Sequence, residues 1–459
     1  MSKYLILLVE IKDREFDAKL LLANYAVSFG YKVIVGEKDK LLQLIFANLL
    51  PPGIVYDKSI QGSSFKVIKK IKEAGNRLVS IDEEAVAILE KEIYIKERYS
   101  EDTIKASDMI FTWGENHYEM VVEAFPKYKD KVFIAGNVRV DTTRDPYRSI
   151  FLKHAEKIVD RYGDFILIPS NFAVVYHKCG GSVLDVIKGE GNINSKEDLR
   201  YIENWIKYVS DVYETFRELI VSISNNFPDK TIIFRPHPSD NVSIYKEHFK
   251  NLKNVICVYE GNIYPWLLAA KAIIHNGCTT GSEAFLLERN VFSYHKIPDT
   301  KYTLLTPNEL SIRCETIEQM EDYLKDVFDG KEMKEHREAK VDFALSIFQD
   351  YLGNFAYEET VSKLNTIAFE SGDVQFNNTG FKLAIIWMQI RSKIKLTVIS
   401  FFAKFGRVID VEKANRGKFP LTSNDEVVQK LDELRRANNK LPEIDVENIM
   451  DNCFILSRK

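Results

Sequence analysis

Cysteine is scarce in this sequence, and its five cysteines are scattered through 459 residues. None forms a CxxC pair, and an odd, dispersed set predicts neither a disulfide framework nor a zinc site. The N-terminal stretch MSKYLILLVEIKDREF lacks the pattern of a signal peptide. We therefore expect a cytoplasmic protein that uses no metal and no other cofactor.

Long apolar runs and an excess of one charge are also missing. No uninterrupted stretch of about 20 apolar residues suggests a membrane-spanning helix. The 63 basic and 67 acidic residues give a net charge of −4, which offers no reason to expect nucleic acid as a partner. The chain is 45% hydrophobic, and its 459 residues are enough for two domains and an appendage.

Short apolar runs alternate with helical stretches through the first 350 residues. The runs in the first half are YLILLVE, YKVIVG, GIVYD, RLVSID, MIFTWG and KVFIAGN. After a helical connection the pattern restarts with DFILIPSN, KTIIFRPHP, NVICVYEG, AIIHNG and NVFSY. This alternation predicts an α/β fold with two facing Rossmann-like domains, residues 1–160 and 161–350. In such sheets ligands bind beyond the carboxyl ends of the strands.

The alternation stops near residue 350, and we predict a helical extension over 351–459. Its segment 380–409 is apolar, with interleaved lysines and arginines and no acidic residue. Such a segment favours either a helix lying on an anionic membrane, here the cytoplasmic face of the inner membrane, or packing on the domains or a partner subunit. The stretch from 423 to 445 indicates a polar helix or a loosely ordered tail.

The stretch RPHPSD follows a predicted strand and could recognise a phosphate. Arg235 offers a planar fork for phosphate, and His237 can donate to a phosphate oxygen and protonate a leaving group. The alternative is a turn shaped by two prolines, with a structurally bonded histidine.

The stretch HNGCTTGSEA joins another predicted strand to a helix that we expect to begin near Gly281. Unpaired N–H groups at a helix start favour an anion, and threonine hydroxyls add donors. Thr280 and Glu283 also fit a capping box that needs no ligand, and Glu283 could instead bind a ribose hydroxyl. The predicted donor-binding residues are Arg235, Asn276, Gly277, Thr279, Thr280, Gly281, Ser282 and Glu283.

Carboxylates follow the predicted strands of the first half, where one could act as a general base. The alternative for each is a solvated turn or a helix cap. With His237, the predicted catalytic residues are Glu10, Asp17, Glu83 and Glu84. Further predicted cleft residues are Lys12, Arg14, Trp113, Asn137, Arg139, Asp141 and Asn171. Trp113 suits either sugar stacking or the core, and Arg139 could pair with Asp141 across the cleft.

No DxD motif occurs where a metal-dependent site needs one, and the glycine-containing loop 188–194 matches no phosphate-binding spacing.

Taken together and in order, these motifs resemble the bacterial surface carbohydrate biosynthesis proteins, a family of GT-B glycosyltransferases. The resemblance covers about residues 4–350. The histidine-proline element followed by a threonine loop is also similar to the GT-B sialyltransferases and the capsule Kdo transferases. That similarity implies transfer of a nonulosonic acid or Kdo from a CMP-activated donor to an oligosaccharide or lipid-linked glycan. It also implies that His237, Thr279 and Thr280 contact the donor phosphate and that Glu283 lies near the ribose.

Three other functions remain open at this point. A UDP-sugar 2-epimerase and a CDP-polyol phosphotransferase could use the same fold and similar motifs. A nucleotide-sugar-binding subunit of an assembly complex would bind the ligand without turnover.

Overall fold

A computed structural model describes residues 3–459 except 89, 179–183, 185–194, 299, 332, 350, 368–378, 388–389, 391–393 and 395–417. The predicted loop 188–194 and most of the segment 380–409 lie outside the described residues. The chain divides into two compact units. The first unit comprises Met1–Glu83, Ile95–Thr142 and Phe348–Lys459, and the second comprises Glu84–Tyr94 and Thr143–Ile347.

The strands of the described residues are numbered in chain order. They are β1 (Lys3–Val9), β2 (Tyr31–Glu37), β3 (Ile54–Asp57), β4 (Arg77–Ile81), β5 (Met109–Thr112), β6 (Val132–Ile134), β7 (Phe165–Pro169), β8 (Thr231–Arg235), β9 (Val255–Cys257), β10 (Ala272–His275), β11 (Val291–Tyr294), β12 (Ile312–Cys314), β13 (Ile444–Met450) and β14 (Cys453–Arg458).

The α-helices of the same residues are numbered in the same way. They are α1 (Lys12–Ser28), α2 (Lys38–Phe46), α3 (Phe65–Glu73), α4 (Lys91–Arg98), α5 (Glu101–Ala106), α6 (Glu115–Ala124), α7 (Val138–Asp141), α8 (Leu152–Tyr162), α9 (Lys196–Asn226), α10 (Val242–His248), α11 (Ile263–Ala269), α12 (Thr279–Leu286), α13 (Leu305–Glu309), α14 (Ile317–Phe328), α15 (Lys334–Glu338), α16 (Val341–Ile347), α17 (Ala356–Leu364) and α18 (Asn424–Ala437).

Each unit is built around one sheet. The first sheet has the strand order β13-β14-β2-β1-β3-β4-β5-β6, and the second has the order β12-β11-β10-β7-β8-β9. All pairings of the second sheet are parallel, as are those from β2 to β6 in the first. Central strands such as β1 and β7 are almost wholly buried, as expected of parallel strands covered on both faces. The predicted α/β class with two Rossmann-like parallel sheets is confirmed.

The last 40 residues complete the first sheet, which sequence analysis did not predict. Helix α18 is the polar helix expected there, but β13 and β14 then form an antiparallel hairpin where a helical extension was expected. Strand β14 pairs with β2, also antiparallel. A Cβ on Gly36 would lie 2.2 Å from the carbonyl oxygen of Asn452, so the hairpin packs closely because residue 36 is glycine. The C-terminal segment is therefore part of the first unit.

Candidate functional site

The carboxyl edge of the second sheet brings the two predicted phosphate motifs to one strand end. Strand β7 lies between β8, which leads into His237, and β10, which leads into Asn276. The two residues after β7 each hold one of these loops. The Ser170 hydroxyl donates to Asp240 at 2.6 Å, and the Asn171 amide donates to the carbonyl oxygens of Asn276 and Gly277 at 2.9 and 3.2 Å. Side chains from the end of one strand therefore fix both loops.

Asp240 shapes the turn that carries His237. Its carboxylate accepts the backbone N–H of His237 at 2.7 Å as well as the Ser170 hydroxyl, and it is 4% exposed. Burial raises the pKa of Asp240 to about 6, although both hydrogen bonds favour the ionised form. The carboxyl group is thus close to half-protonated under mildly acidic conditions.

The His237 side chain is exposed at the tip of this turn. Its Nδ1 accepts the backbone N–H of Ser239 at 3.2 Å. A neutral imidazole that accepts at Nδ1 carries its proton on Nε2, so a hydrogen-bond donor is directed away from the turn. This arrangement agrees with a histidine that donates to a ligand oxygen.

Arg235 is held differently from the prediction. Its two terminal nitrogens donate to the carbonyl oxygens of Glu260 and Gly261 at 3.1 and 2.6 Å. Its guanidinium also lies over the rings of Tyr259 and Trp266, at 4.9 and 5.6 Å. The arginine is buried and fastens the loop after β9, instead of presenting an open fork to phosphate. The sequence does not indicate this role, because the partners are backbone carbonyls 25 and 26 residues away.

The second loop is rigid where it leaves β10. Asn276 donates to the carbonyl oxygen of Tyr294 at 2.7 Å, and the N–H of Gly277 donates to Asn308 at 2.8 Å. Gly277 has a φ of +60°, and a Cβ there would lie 3.2 Å from Leu304. Glycine therefore allows both the turn and the close approach.

Helix α12 begins at Thr279, two residues before the predicted start. Its N-cap is Cys278, whose side chain makes no capping hydrogen bond, so the predicted Thr280–Glu283 capping box does not begin this helix. In the described chain, no acceptor takes the backbone N–H groups of Thr279 and Thr280. A helix start with open N–H groups favours an anion.

The residues of α12 differ in how they face solvent. Thr279, Thr280 and Glu283 are half-buried, whereas Gly281 and Ser282 are buried. A Cβ on Gly281 would lie 2.2 Å from the imidazole of His275, so this glycine makes room for a neighbouring side chain and not for a ligand. Thr279, Thr280 and Glu283 are the members of this motif that can meet a ligand.

The carboxyl edge of the first sheet carries a buried ionic cluster around Glu83. Lys19 lies 3.4 Å from the Glu83 carboxylate, Arg139 lies 3.6 Å away, and the Asn137 amide donates to it at 2.9 Å. All four residues are at most 5% exposed. Burial by itself would raise the pKa of Glu83, but the two cations and the amide hold it below its ordinary value. Glu83 is therefore ionised and a weak base.

The other predicted acidic residues of the first half also have partners. Glu10 lies 2.7 Å from Lys58 and 2.8 Å from Lys418, and these lysines outweigh burial and lower the pKa of Glu10 to about 2. Asp17 pairs with Lys430 of α18 at 2.6 Å. Glu84 opens a turn, where its carbonyl oxygen accepts the N–H of Ala87.

The two basic residues of α1 that we predicted for the cleft are paired within the first unit. Lys12 lies 2.7 Å from Glu426 of α18, and Arg14 donates to the carbonyl oxygen of Glu83 at 3.5 Å. The partner of Lys12 is more than 400 residues away in sequence.

Trp113 takes the core role that was one of its two predicted alternatives, and Asp141 does not pair with Arg139 as predicted. Trp113 is 4% exposed, and its indole N–H donates to the carbonyl oxygen of Asp82 at 2.7 Å, so it belongs to the core and does not stack on a sugar. The Asp141 carboxylate accepts the backbone N–H groups of Ala356 and Tyr357 at 3.0 and 2.9 Å. It therefore caps helix α17, and Arg139 has Glu83 as its counterion.

Three residues of these two edges were not among the predicted site residues. Ser170 and Asp240 hold the His237 turn, and both lie in quoted motifs next to residues that we selected. Glu15 is the third: its carboxylate is 2% exposed and accepts the N–H groups of Glu10 and Ile11. Burial raises the pKa of Glu15, and the nearby Glu83 adds to this against the opposing charge of Lys58. Glu15 lies in the first turn and a half of helix α1, and no local sequence pattern shows that its carboxylate is buried there.

The residues that the structure describes contain neither a cluster suited to a metal ion nor a helix suited to spanning a membrane. No group of three or more histidine, cysteine, aspartate or glutamate side chains in them could hold a metal ion. None of their helices is both long enough and apolar enough to cross a bilayer.

No model of a known protein family matches the chain, and no curated protein sequence matches it either. Solved structures do. A candidate UDP-N-acetylglucosamine 2-epimerase from Listeria monocytogenes aligns with 80% of this chain and 96% of its own, at 12% identity and a TM-score of 0.50. The UDP-GlcNAc 2-epimerase from Neisseria meningitidis, bound to UDP-GlcNAc, aligns with 80% and 100% at 12% identity and a TM-score of 0.47. At this identity the likeness shows a GT-B-like fold and nothing finer.

Proposed function

We propose that this protein binds a nucleotide sugar at the carboxyl edge of the second sheet and breaks the bond between its anomeric carbon and the phosphate. The observation that carries the proposal is the pair Ser170 and Asn171, which ties the His237 turn and the start of helix α12 to one strand end. An imidazole donor and open helix N–H groups at one edge suit a phosphate.

The departing phosphate gains negative charge as the bond breaks, and this charge needs stabilisation. The N–H groups and hydroxyls of Thr279 and Thr280 would bind it, and the His237 Nε2–H would donate to it. Glu283, one turn further along α12, would accept a ribose hydroxyl. Arg235 would act indirectly, by holding the loop beside the His237 turn.

The first candidate reaction is glycosyl transfer, which the motif resemblance supports. It needs an acceptor hydroxyl and a base. The resemblance implies that the base is one of Glu10, Asp17, Glu83 and Glu84. Of these, Glu10 and Glu83 are weak bases, because neighbouring cations outweigh burial and lower their pKa values. The resemblance also supplies the expectation of a CMP-activated donor.

The second candidate reaction is 2-epimerisation of a UDP-sugar, and the fold comparison favours it over transfer. The supporting observation is the match to the Listeria monocytogenes structure along nearly the whole length of that chain. Epimerisation also needs a base, here for the proton on C2, but it needs no acceptor.

Nucleotide binding is the first test. Purified protein would be titrated with UDP, UDP-GlcNAc, CMP and CDP by calorimetry, and His237→Ala would be compared with His154→Ala. His154 is an exposed histidine of α8 in the same unit, so it controls for loss of an imidazole. We expect one nucleotide to bind the wild type and the His154 variant alike and the His237 variant at least about tenfold more weakly. Equal affinity for all three proteins would refute the site.

Product analysis then separates the reactions. Incubation with UDP-GlcNAc alone, followed by NMR, shows a new C2 epimer only if the protein is an epimerase. Release of nucleotide that requires a glycan acceptor identifies a transferase, and selective CMP binding would support the CMP-activated donor. A phosphoryl-polyol product from a CDP-polyol would identify the phosphotransferase. Binding without any turnover would identify a nucleotide-sugar-binding subunit and refute bond cleavage.

We also propose that the segment 380–409 contacts an anionic membrane surface. Its described part is helical over 380–387 and exposes Leu383, Ile386, Trp387, Ile390 and Ile394. Positions 383, 387, 390 and 394 are three or four residues apart, as on one face of a helix. The segment also contains six lysines and arginines and no acidic residue. An exposed apolar stripe beside basic residues suits the interface of an anionic bilayer.

A further inference from the structure

A cavity of about 590 Å³ lies in the second unit, and its lining includes neither the His237 turn nor the start of helix α12. Its lining includes the starts of β11 and β12 and the residue before β10, so it opens at the amino edge of the sheet. The proposed nucleotide site lies at the carboxyl edge. Helix α12 begins at the nucleotide site and ends at this cavity, and its eight residues span about 12 Å.

The charge of the lining is strongly one-sided. Seven lysines and arginines and one histidine line the cavity, and Glu288 is the single carboxylate among the described lining residues. That carboxylate is already shared, because Arg148 lies 3.2 Å and Arg337 3.1 Å from it. Within the lining itself, lysines and arginines therefore outnumber carboxylates seven to one. Four of these cations also have acidic partners outside the lining: Lys271, Arg313, Lys331 and Lys340.

Arg289 is the cation that most lacks a counterion. Its Nη2 donates to the carbonyl oxygen of Ala270 at 2.9 Å, while its Nε is buried without an acceptor. Among the described residues no carboxylate lies within ion-pair distance of its guanidinium. The Nε of Arg337 is also buried and without an acceptor. A guanidinium that has a buried, unbonded nitrogen and no carboxylate nearby is costly, so Arg289 indicates an absent anion. Arg337 is paired with Glu288 and adds a second unbonded nitrogen to the same cavity.

The remaining lining is apolar. Phe285, Tyr323 and Val327 contribute side chains, and the Arg337 guanidinium lies 5.6 Å above the Phe285 ring. A volume of this size is in the range that accommodates small organic ligands. Polar and apolar parts together suit a molecule with an anionic group and an organic body.

We propose that this cavity binds a small organic phosphate, with its phosphate against Arg289 and Arg337 and its organic part on the apolar lining. Arginine forks match phosphate oxygens bidentately, and the surrounding lysines add to the attraction. Surface ion pairs such as Lys271 with Asp164, at 3.4 Å, are weak and can exchange for the ligand. The site is separate from the proposed nucleotide site and does not depend on it.

The test uses glucose 1-phosphate and pyrophosphate as probes, with citrate as a carboxylate control, at constant ionic strength. Binding to the full chain would be measured by calorimetry for the wild type, Arg289→Met, Arg337→Gln and the matched control Arg161→Gln. Arg161 is an exposed arginine of the same unit. We expect glucose 1-phosphate to bind the wild type and the Arg161 variant with equal affinity. Its affinity for both cavity variants should be at least about tenfold lower.

Two further measurements distinguish this cavity from the nucleotide site and show whether a variant has merely lost its fold. His237→Ala should leave glucose 1-phosphate binding unchanged; loss of binding in this variant, with retention in Arg289→Met, would overturn the proposal. Without ligand, Arg289→Met should melt at a higher temperature than the wild type, because it removes an uncompensated buried charge. Tighter binding of citrate than of either phosphate, or equal affinity in wild type and Arg337→Gln, would also overturn it.

Discussion

The imidazole of His275 occupies the space that a side chain on Gly281 would need: its Nε2 would lie 2.2 Å from a Cβ at that position. His275 is wholly buried at the end of β10, and its Nε2 bonds to the Ser311 hydroxyl at 2.8 Å. Burial lowers the pKa of His275 to about 3, so the ring is neutral. This contact sets how closely helix α12 packs on the sheet, and thereby where Thr279 and Thr280 lie.

Replacing Gly281 by alanine should therefore destabilise the second unit. Overpacking of a tight contact costs about 1–3 kcal/mol, and chemical denaturation would measure it. Gly62→Ala is the control, because a Cβ at Gly62 meets its nearest neighbour at 3.5 Å. The double variant Gly281→Ala with His275→Ala should lose less than the sum of the single losses. Strict additivity of the two losses would contradict the assigned contact.

Replacing Glu83 by glutamine should destabilise the first unit strongly. The change leaves Lys19 and Arg139 buried without their counterion, and breaking a buried pair costs about 3–5 kcal/mol. The comparison is Glu73→Gln, which removes the partner of Lys69 from an exposed pair 3.8 Å apart. An exposed pair contributes about 0–1 kcal/mol. Urea denaturation of both variants would measure the difference, and equal losses would refute the buried cluster.

Asp240 should make stability depend on pH. Its folded pKa of about 6 exceeds the unfolded value of about 3.9, so the protonated carboxyl favours the folded state. This contribution is fully present below the unfolded pKa and is lost as pH rises through the folded pKa. The loss is on the order of 3 kcal/mol for a pKa difference of about two.

Asp240→Asn isolates this effect because asparagine does not titrate. The free energy of unfolding of the wild type, minus that of the variant, should fall between about pH 4 and about pH 8. Denaturation at several pH values would measure both proteins. Parallel pH profiles would show that Asp240 does not titrate with a raised pKa in the folded protein.

Trp387→Glu should weaken binding to anionic vesicles. Trp387 is 60% exposed and belongs to the apolar stripe of the segment 380–409, so a carboxylate there would lose apolar contact and add repulsion. Co-sedimentation with phosphatidylcholine vesicles, with and without phosphatidylglycerol, would measure binding. Leu352→Glu changes an equally exposed residue of the same unit, 61% exposed, and should have no effect. Equal binding of both variants would argue against this membrane contact.

Much of the architecture follows from local sequence patterns. Apolar runs of strand length, separated by helices, predicted parallel sheets, and β1, β7, β8 and β10 occur where those runs are. The position of the phosphate motifs after β8 and β10 was also predictable, because polar residues directly after a buried strand must lie at its carboxyl end. In helix α9, over Lys196–Asn226, the buried residues Val212, Phe216, Leu219 and Ile223 recur every three or four positions, which is the spacing of an amphipathic helix.

Side-chain partners were not predictable in the same way. Arg235 and His237 stand two residues apart, yet one fastens a neighbouring loop while the other is exposed at a turn. Glu10 and Glu15 both follow β1 and look alike in sequence, but their pKa values move in opposite directions. Lys58 and Lys418 lower the pKa of Glu10, whereas burial raises that of Glu15.

The sequence by itself determined strands β1 to β11, the helices that separate them and the strand ends that carry polar residues, because these depend on the spacing of apolar residues along the chain. Only the tertiary structure decided which charges meet, that His275 needs a glycine at position 281, and that β13 and β14 extend the first sheet. Those outcomes depend on contacts between residues far apart in sequence, such as Asn452 with Gly36. No local pattern encodes such contacts, since their free energy arises only when both partners are buried together.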